Sequence, residues 1–67
     1  MWNLRVQRIK NHMSLQDLAE KVGTNASAIS RWELGKNEPR ISTIRKLAEI
    51  LNCTIDELLE DTDERVS

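Results

Sequence analysis

The chain has 67 residues, with 10 Lys/Arg against 11 Asp/Glu, one histidine, one cysteine and two aromatic residues, both tryptophan. That length makes one domain near the lower limit for a self-sufficient core; a lone cysteine excludes an intrachain disulfide and leaves a structural zinc site short of soft ligands. No apolar run nears the roughly 18 residues that cross a membrane, and no signal-peptide pattern opens the chain, so a reducing cytoplasm is the expected location.

The apolar residues recur at helical spacing throughout, which predicts an all-α fold. Asn3 to Asn11 reads as the first helix, with Asn3 as its cap and Leu4, Ile9 and Met13 as its core side. His12 fits the turn that follows, because histidine is among the residues that tolerate a positive φ. Ser14 then caps a second helix, and Asp17 three residues on completes a capping box. Met13 and Leu18 form the matching hydrophobic staple. Leu15, Leu18, Ala19 and Val22 share one face, and Gly23 supplies the left-handed residue that ends the helix.

Asn25 caps a third helix that runs to Gly35. At about 100° per residue, Ala28, Ile29, Trp32 and Glu33 fall on one half of its wheel. Ala26, Ser27, Ser30, Arg31 and Leu34 fall on the other. A thin polar helix end projecting from a tight helix–turn–helix suits the DNA major groove, although capped amphipathic helix pairs also occur in small bundles with no such role. Trp32 is expected in the core beside Ile29.

KNEPR (residues 36–40) is the following loop. Ile41 to Leu51 forms a fourth helix with Ile41, Ile44, Leu47, Ala48 and Leu51 on one side. Thr54 and Glu57 make a second capping box, with Cys53 and Leu58 as its staple and Ile55 and Leu59 as further apolar surface. Cys53 is read as a small core residue, not a reactive thiol. The domain is expected over residues 1–60, followed by a flexible acidic tail at 61–67. Charge is divided along the chain: nine basic and four acidic residues in 1–46 give +5, while one basic and seven acidic residues in 47–67 give −6. The basic end holds the helix pair, so contact with nucleic acid has to rest on local interactions and not on long-range attraction.

The ordered pattern R-x-x-x-x-M-S-x-x-D-L-A-x-x-V-G-T-N-x-x-x-I-S-R-W-E-x-G-K-x-x-P, from Arg8 to Pro39, resembles the lambda-repressor-like helix-turn-helix family, and the similarity continues through KLAEILNCTIDELL (residues 46–59). The resemblance implies a compact five-helix bundle that binds double-stranded DNA as a transcriptional regulator. It points to Ala26, Ser27 and Arg31 as base readers, Arg31 being suited to bidentate contact with guanine. It places Ser14 and the amides of Leu15 and Gln16 at a phosphate, with Asn25, Ser30, Lys36, Asn37 and Arg40 at further phosphates or a minor groove. Arg8 and Glu33 correspond to a family ion pair locking the first helix to the third. Gln7, His12, Leu15 and Cys53 depart from the family pattern, where an apolar residue, glycine, glutamine and valine are usual.

One helix–turn–helix reads few bases, so a homodimer on an inverted repeat is expected. The resemblance places its interface at Leu51, Cys53, Ile55, Leu58 and Leu59, and repression by occupancy of an operator is the expected action. No nucleophile–base set is present, so the chain is not expected to be an enzyme, and no cofactor or metal is called for. The acidic C-terminal end supports an alternative, an antitoxin-like or adaptor module whose main partner is a protein. RNA is disfavoured, because no exposed aromatic platform is present.

Overall fold

A computed structural model describes residues 2–60; the expected acidic tail, 61–67, lies outside the described residues. Its helices are α1 (Leu4–Lys10), α2 (Leu15–Val22), α3 (Ala26–Glu33), α4 (Ile41–Ile50) and α5 (Ile55–Leu59), with no strand among the described residues. None of these helices is long and apolar enough to cross a membrane.

Each helix contributes to one core, whose largest fully buried side chains are Leu4, Leu18, Ile29, Leu47, Leu51 and Leu58. Burying a leucine or isoleucine of this kind contributes about 1.5–3 kcal/mol, so α5, only five residues long, is held by Leu58 and its cap and not by helix propensity. Both capping boxes form: the Ser14 and Thr54 hydroxyls accept from the Asp17 and Glu57 amides, and those carboxylates accept in return from the Ser14 and Thr54 amides. His12, Gly23, Gly35 and Asn52 all take positive φ and end α1, α2, α3 and α4 respectively.

Three expectations from sequence give way. Asn3 does not cap α1 with its side chain. Its amide group donates to the Glu57 carbonyl and its backbone N–H to the Leu58 carbonyl, clasping the start of α1 to the end of α5. Ile9 is 52% exposed and Gln7 is buried instead: Ile9 lies about 140° from Leu4 on the wheel, whereas Gln7 lies about 60° away. Ile41, the first residue of α4, is 68% exposed, where a side chain leans back toward the helix N-terminus and away from the core stripe.

Arg8 is the junction between α1 and the helix pair. Its Nε donates to Glu33 Oε2 at 2.6 Å, its Nη2 to Glu33 Oε1 at 3.3 Å and its Nη1 to the Met13 carbonyl at 2.8 Å. The two side chains are only 12% and 8% exposed. In such a setting removal of one partner strands the other charge, which costs about 3–5 kcal/mol. A double-mutant cycle on Arg8→Ala and Glu33→Ala, followed by thermal or urea unfolding, is therefore expected to give each single variant a loss of that order, with the double variant well short of their sum. Additive losses would show that the two side chains do not depend on each other.

Candidate nucleic-acid interface

The third helix is presented by its surroundings on three sides. Its N-terminus is fixed by Asn25, whose Oδ1 accepts from the Ala28 amide at 2.9 Å. Its inner half is sealed, with Ile29 fully buried and Trp32 packed against the core. Its C-terminal carbonyls are closed by the Gly35 turn: Lys36 N–H donates to Arg31 O at 2.9 Å and Gly35 N–H to Trp32 O at 3.1 Å. What remains outward is Ser27 and Arg31, exposed, with Ala26 and Ser30 partly so. The turn therefore brings Lys36 against the backbone of Arg31, joining the candidate base reader to the candidate phosphate loop.

The second helix sits differently from a side-chain-based phosphate site. Ser14 Oγ is engaged with the Asp17 amide and Gln16 Nε2 with Glu20 Oε2 at 3.1 Å. Leu15 packs against the core. Ser14, Leu15 and Gln16 thus offer the backbone amides of Leu15 and Gln16 to an anion, in the manner of any helix N-terminus. Asn37 and Arg40 are exposed in the loop, and Arg40 immediately precedes α4.

Two lysines and arginines are occupied elsewhere. Arg8 is paired with Glu33, and Lys46 Nζ donates to the Val22 carbonyl at 3.1 Å, closing the end of α2 from α4. Sequence reasoning missed that bond, and the N–H of Trp2 Nε1 donating to the Trp32 carbonyl at 2.7 Å. A buried-edge indole calls for an acceptor, but nothing local identifies one 30 positions away.

The expected interface residues divide. Leu51 is 1% exposed and Leu58 fully buried, so both belong to this chain's own core and neither is available to a partner. Cys53 is partly buried, and Ile55 and Leu59 are exposed. Burial raises the Cys53 thiol above its ordinary range, with Glu57 adding to the effect. Among the described residues no group of three or more His, Cys, Asp or Glu side chains is placed to hold a metal ion.

The capping carboxylates carry an acid-sensitive contribution. The Ser14 amide, then its hydroxyl, hold Asp17 below its ordinary range, and the Thr54 amide and hydroxyl do the same for Glu57. A carboxylate with depressed folded-state pKa stabilises above its unfolded pKa and loses that stabilisation as pH falls through the folded one. In thermal melts from about pH 7 to about pH 3, an Asp17→Asn/Glu57→Gln variant is expected to melt below wild type at neutral pH, the gap closing in acid. A gap that does not change with pH would rule out the charged form as the source.

Comparison with known proteins follows the same lines. A family model described as helix-turn-helix matches residues 4–58. The Enterococcus faecalis HTH-type transcriptional activator BcrR is 33% identical over 60 residues, covering 87% of this chain and 29% of that protein. The Bacillus subtilis (strain 168) uncharacterized HTH-type transcriptional regulator YqaE is 32% identical over 65 residues, 96% of this chain and 56% of the relative. The chain thus spans about a third and about half of the lengths of these two relatives. The crystal structure of the P22 c2 repressor in complex with a synthetic operator superposes with a TM-score of 0.80 at 33% identity, covering 87% of this chain and 88% of that one.

Proposed function

The chain belongs to the lambda-repressor-like helix-turn-helix family, and from that premise we propose that it is a sequence-specific double-stranded DNA-binding transcriptional regulator of the cytoplasm, acting as a homodimer on an inverted repeat. The observation that carries this reading is the third helix: sealed inward by Ile29, capped at both ends, and presenting Ser27 and Arg31 outward from its first two turns. Ala26, Ser27 and Arg31 read bases in this proposal. Arg31 provides the strongest discrimination through guanine O6 and N7, and Ala26 meets at most a thymine methyl. Backbone amides at Leu15 and Gln16, with Asn25, Ser30, Lys36, Asn37 and Arg40, hold phosphates or a minor groove and set register without reading sequence.

Two half-sites about 34 Å apart supply the affinity that one thin code lacks. The pairing surface is drawn from Ile55 and Leu59, both exposed, with partly buried Cys53 and without Leu51 or Leu58. Repression is the proposed direction, since occupancy of an operator suffices for it; the likeness to one protein named an activator and one named a repressor leaves both directions within the family. A protein partner is the second reading. It is favoured by the outward face of α1, where exposed Val6 and Ile9 lie between exposed Arg5 and Lys10.

Selection from a randomised duplex pool at fixed salt tests the first reading. Wild type is expected to recover an inverted repeat, and Arg31→Ala to relax one position in each half-site, a loss of about 1–3 kcal/mol in discrimination. Leu59→Glu is expected to leave the fold intact and to abolish recovery of paired half-sites. Enrichment of no sequence by a folded wild-type protein would defeat this reading and favour the protein-partner one.

A further inference from the structure

We infer that Trp2 is a positioning residue of the DNA interface, setting the end of the recognition helix and the loop that carries Lys36 and Asn37. The inference rests on the DNA-binding reading above. Three observations support it.

The first is the acceptor that Trp2 uses. The last turn of a helix leaves carbonyls without intrahelical partners. In α3, Ser30 O accepts from Leu34 N–H, Arg31 O from Lys36 N–H, and Trp32 O from Gly35 N–H. Trp32 O alone takes a second donor, the Trp2 indole, at 2.7 Å. That donor arrives from outside the helix–turn–helix and from the far end of the chain. It fixes the carbonyl adjacent to the one that holds Lys36.

The second is what lies behind the loop. Gly35, Asn37, Glu38 and Pro39 share the lining of an open hollow of about 290 Å³ with Trp2 and Trp32. The loop is therefore not backed by close-packed core, where neighbouring atoms would fix its position. Its placement depends on its two ends, and Trp2 acts at the first of them.

The third is where Trp2 itself is anchored. It directly precedes Asn3, whose backbone N–H donates to Leu58 O at 2.9 Å and whose side-chain amide donates to Glu57 O at 3.2 Å. Trp2 is thus held from α5, and its hydrogen bond transmits that anchorage to α3. Arg8 performs the same service through the Glu33 side chain, so the recognition helix is tied to α1 and to Trp2 ahead of it at two points of its last turn.

The experiment measures operator affinity and its salt dependence for wild type, Trp2→Phe, Lys36→Ala and the double variant, using the duplex recovered by selection, with Arg31→Ala alongside. Trp2→Phe keeps an apolar ring and removes the N–H, and Trp2→Leu provides a second form of the same deletion. Thermal melts establish that each variant is folded at the temperature used. Trp2→Phe and Trp2→Leu are expected to weaken binding about three- to tenfold, the scale of one hydrogen bond. The slope of log affinity against log salt is expected to become shallower by about one phosphate contact. In the Lys36→Ala background the same change is expected to cost less than about twofold, because the loop is then already without its phosphate contact.

Affinity equal to wild type for both folded variants would overturn the inference. So would an equal loss in both backgrounds, which would assign Trp2 to general stability only. A Lys36→Ala variant that binds as wild type would overturn it as well, while Arg31→Ala continued to report on base reading. Failure of the folded wild type to enrich any duplex would instead remove the DNA-binding reading on which the inference stands.

Discussion

The rest of the structure depends on Arg8. A guanidinium at 12% exposure is held by two carboxylate oxygens of Glu33 and one backbone carbonyl, that of Met13. These contacts join three segments that have few other reasons to keep one angle: α1, the turn into α2, and the last turn of α3. An apolar contact would tolerate sliding, because burial is not directional. A forked pair of charge-assisted hydrogen bonds has a fixed plane and length. The orientation of the outward face of α3 is therefore set by polar geometry inside an otherwise aliphatic core. The same choice makes the core intolerant of change at either residue, since neither charge can be left alone where it lies.

Local chemistry was legible in the sequence and long-range chemistry was not. Ser14 with Asp17, and Thr54 with Glu57, announce their helices because each pair is complete within four residues. His12 and Gly35 announce helix ends because few residue types accept a positive φ. Ile9 and Ile41 misled, one on a helix of seven residues, too short to establish a periodicity, and one in a first turn whose side chain leans off its own helix. Asn3 is a good cap in isolation; the Glu57 carbonyl, 54 positions away, competes for its side chain and takes it. Arg8 and Glu33 are 25 positions apart, so only the family pattern connects them. Leu51 and Leu58 are apolar in the same way as Ile55 and Leu59, and no sequence rule separates those that fill the protomer from those left on its surface.

The polarity of the chain also has a structural reading. Glu49, Asp56, Glu57 and Glu60 are exposed on α4, α5 and their flanks, while Arg31, Lys36 and Arg40 are exposed around the end of α3. A nearly neutral domain of this kind attracts a polyanion weakly from afar and orients as it approaches, because the acidic end is repelled while the basic end is drawn in. Orientation on encounter is then governed by charge, and discrimination, on the proposed reading, by Ala26, Ser27 and Arg31.

The clasp between Asn3 and the last turn of α5 has a consequence for how the molecule assembles. It joins residues 3 and 58, so nearly the entire described chain is a single closed loop with the helix pair in its middle. The contacts of α2 with α3 span few residues and incur little loop-closure entropy; the clasp spans almost the maximum available. On loop-closure grounds the helix–turn–helix is expected to condense before the two ends latch around it. On that order the recognition helix takes shape before its angle is set, because the Arg8–Glu33 and Trp2–Trp32 ties both need the N-terminal segment in place.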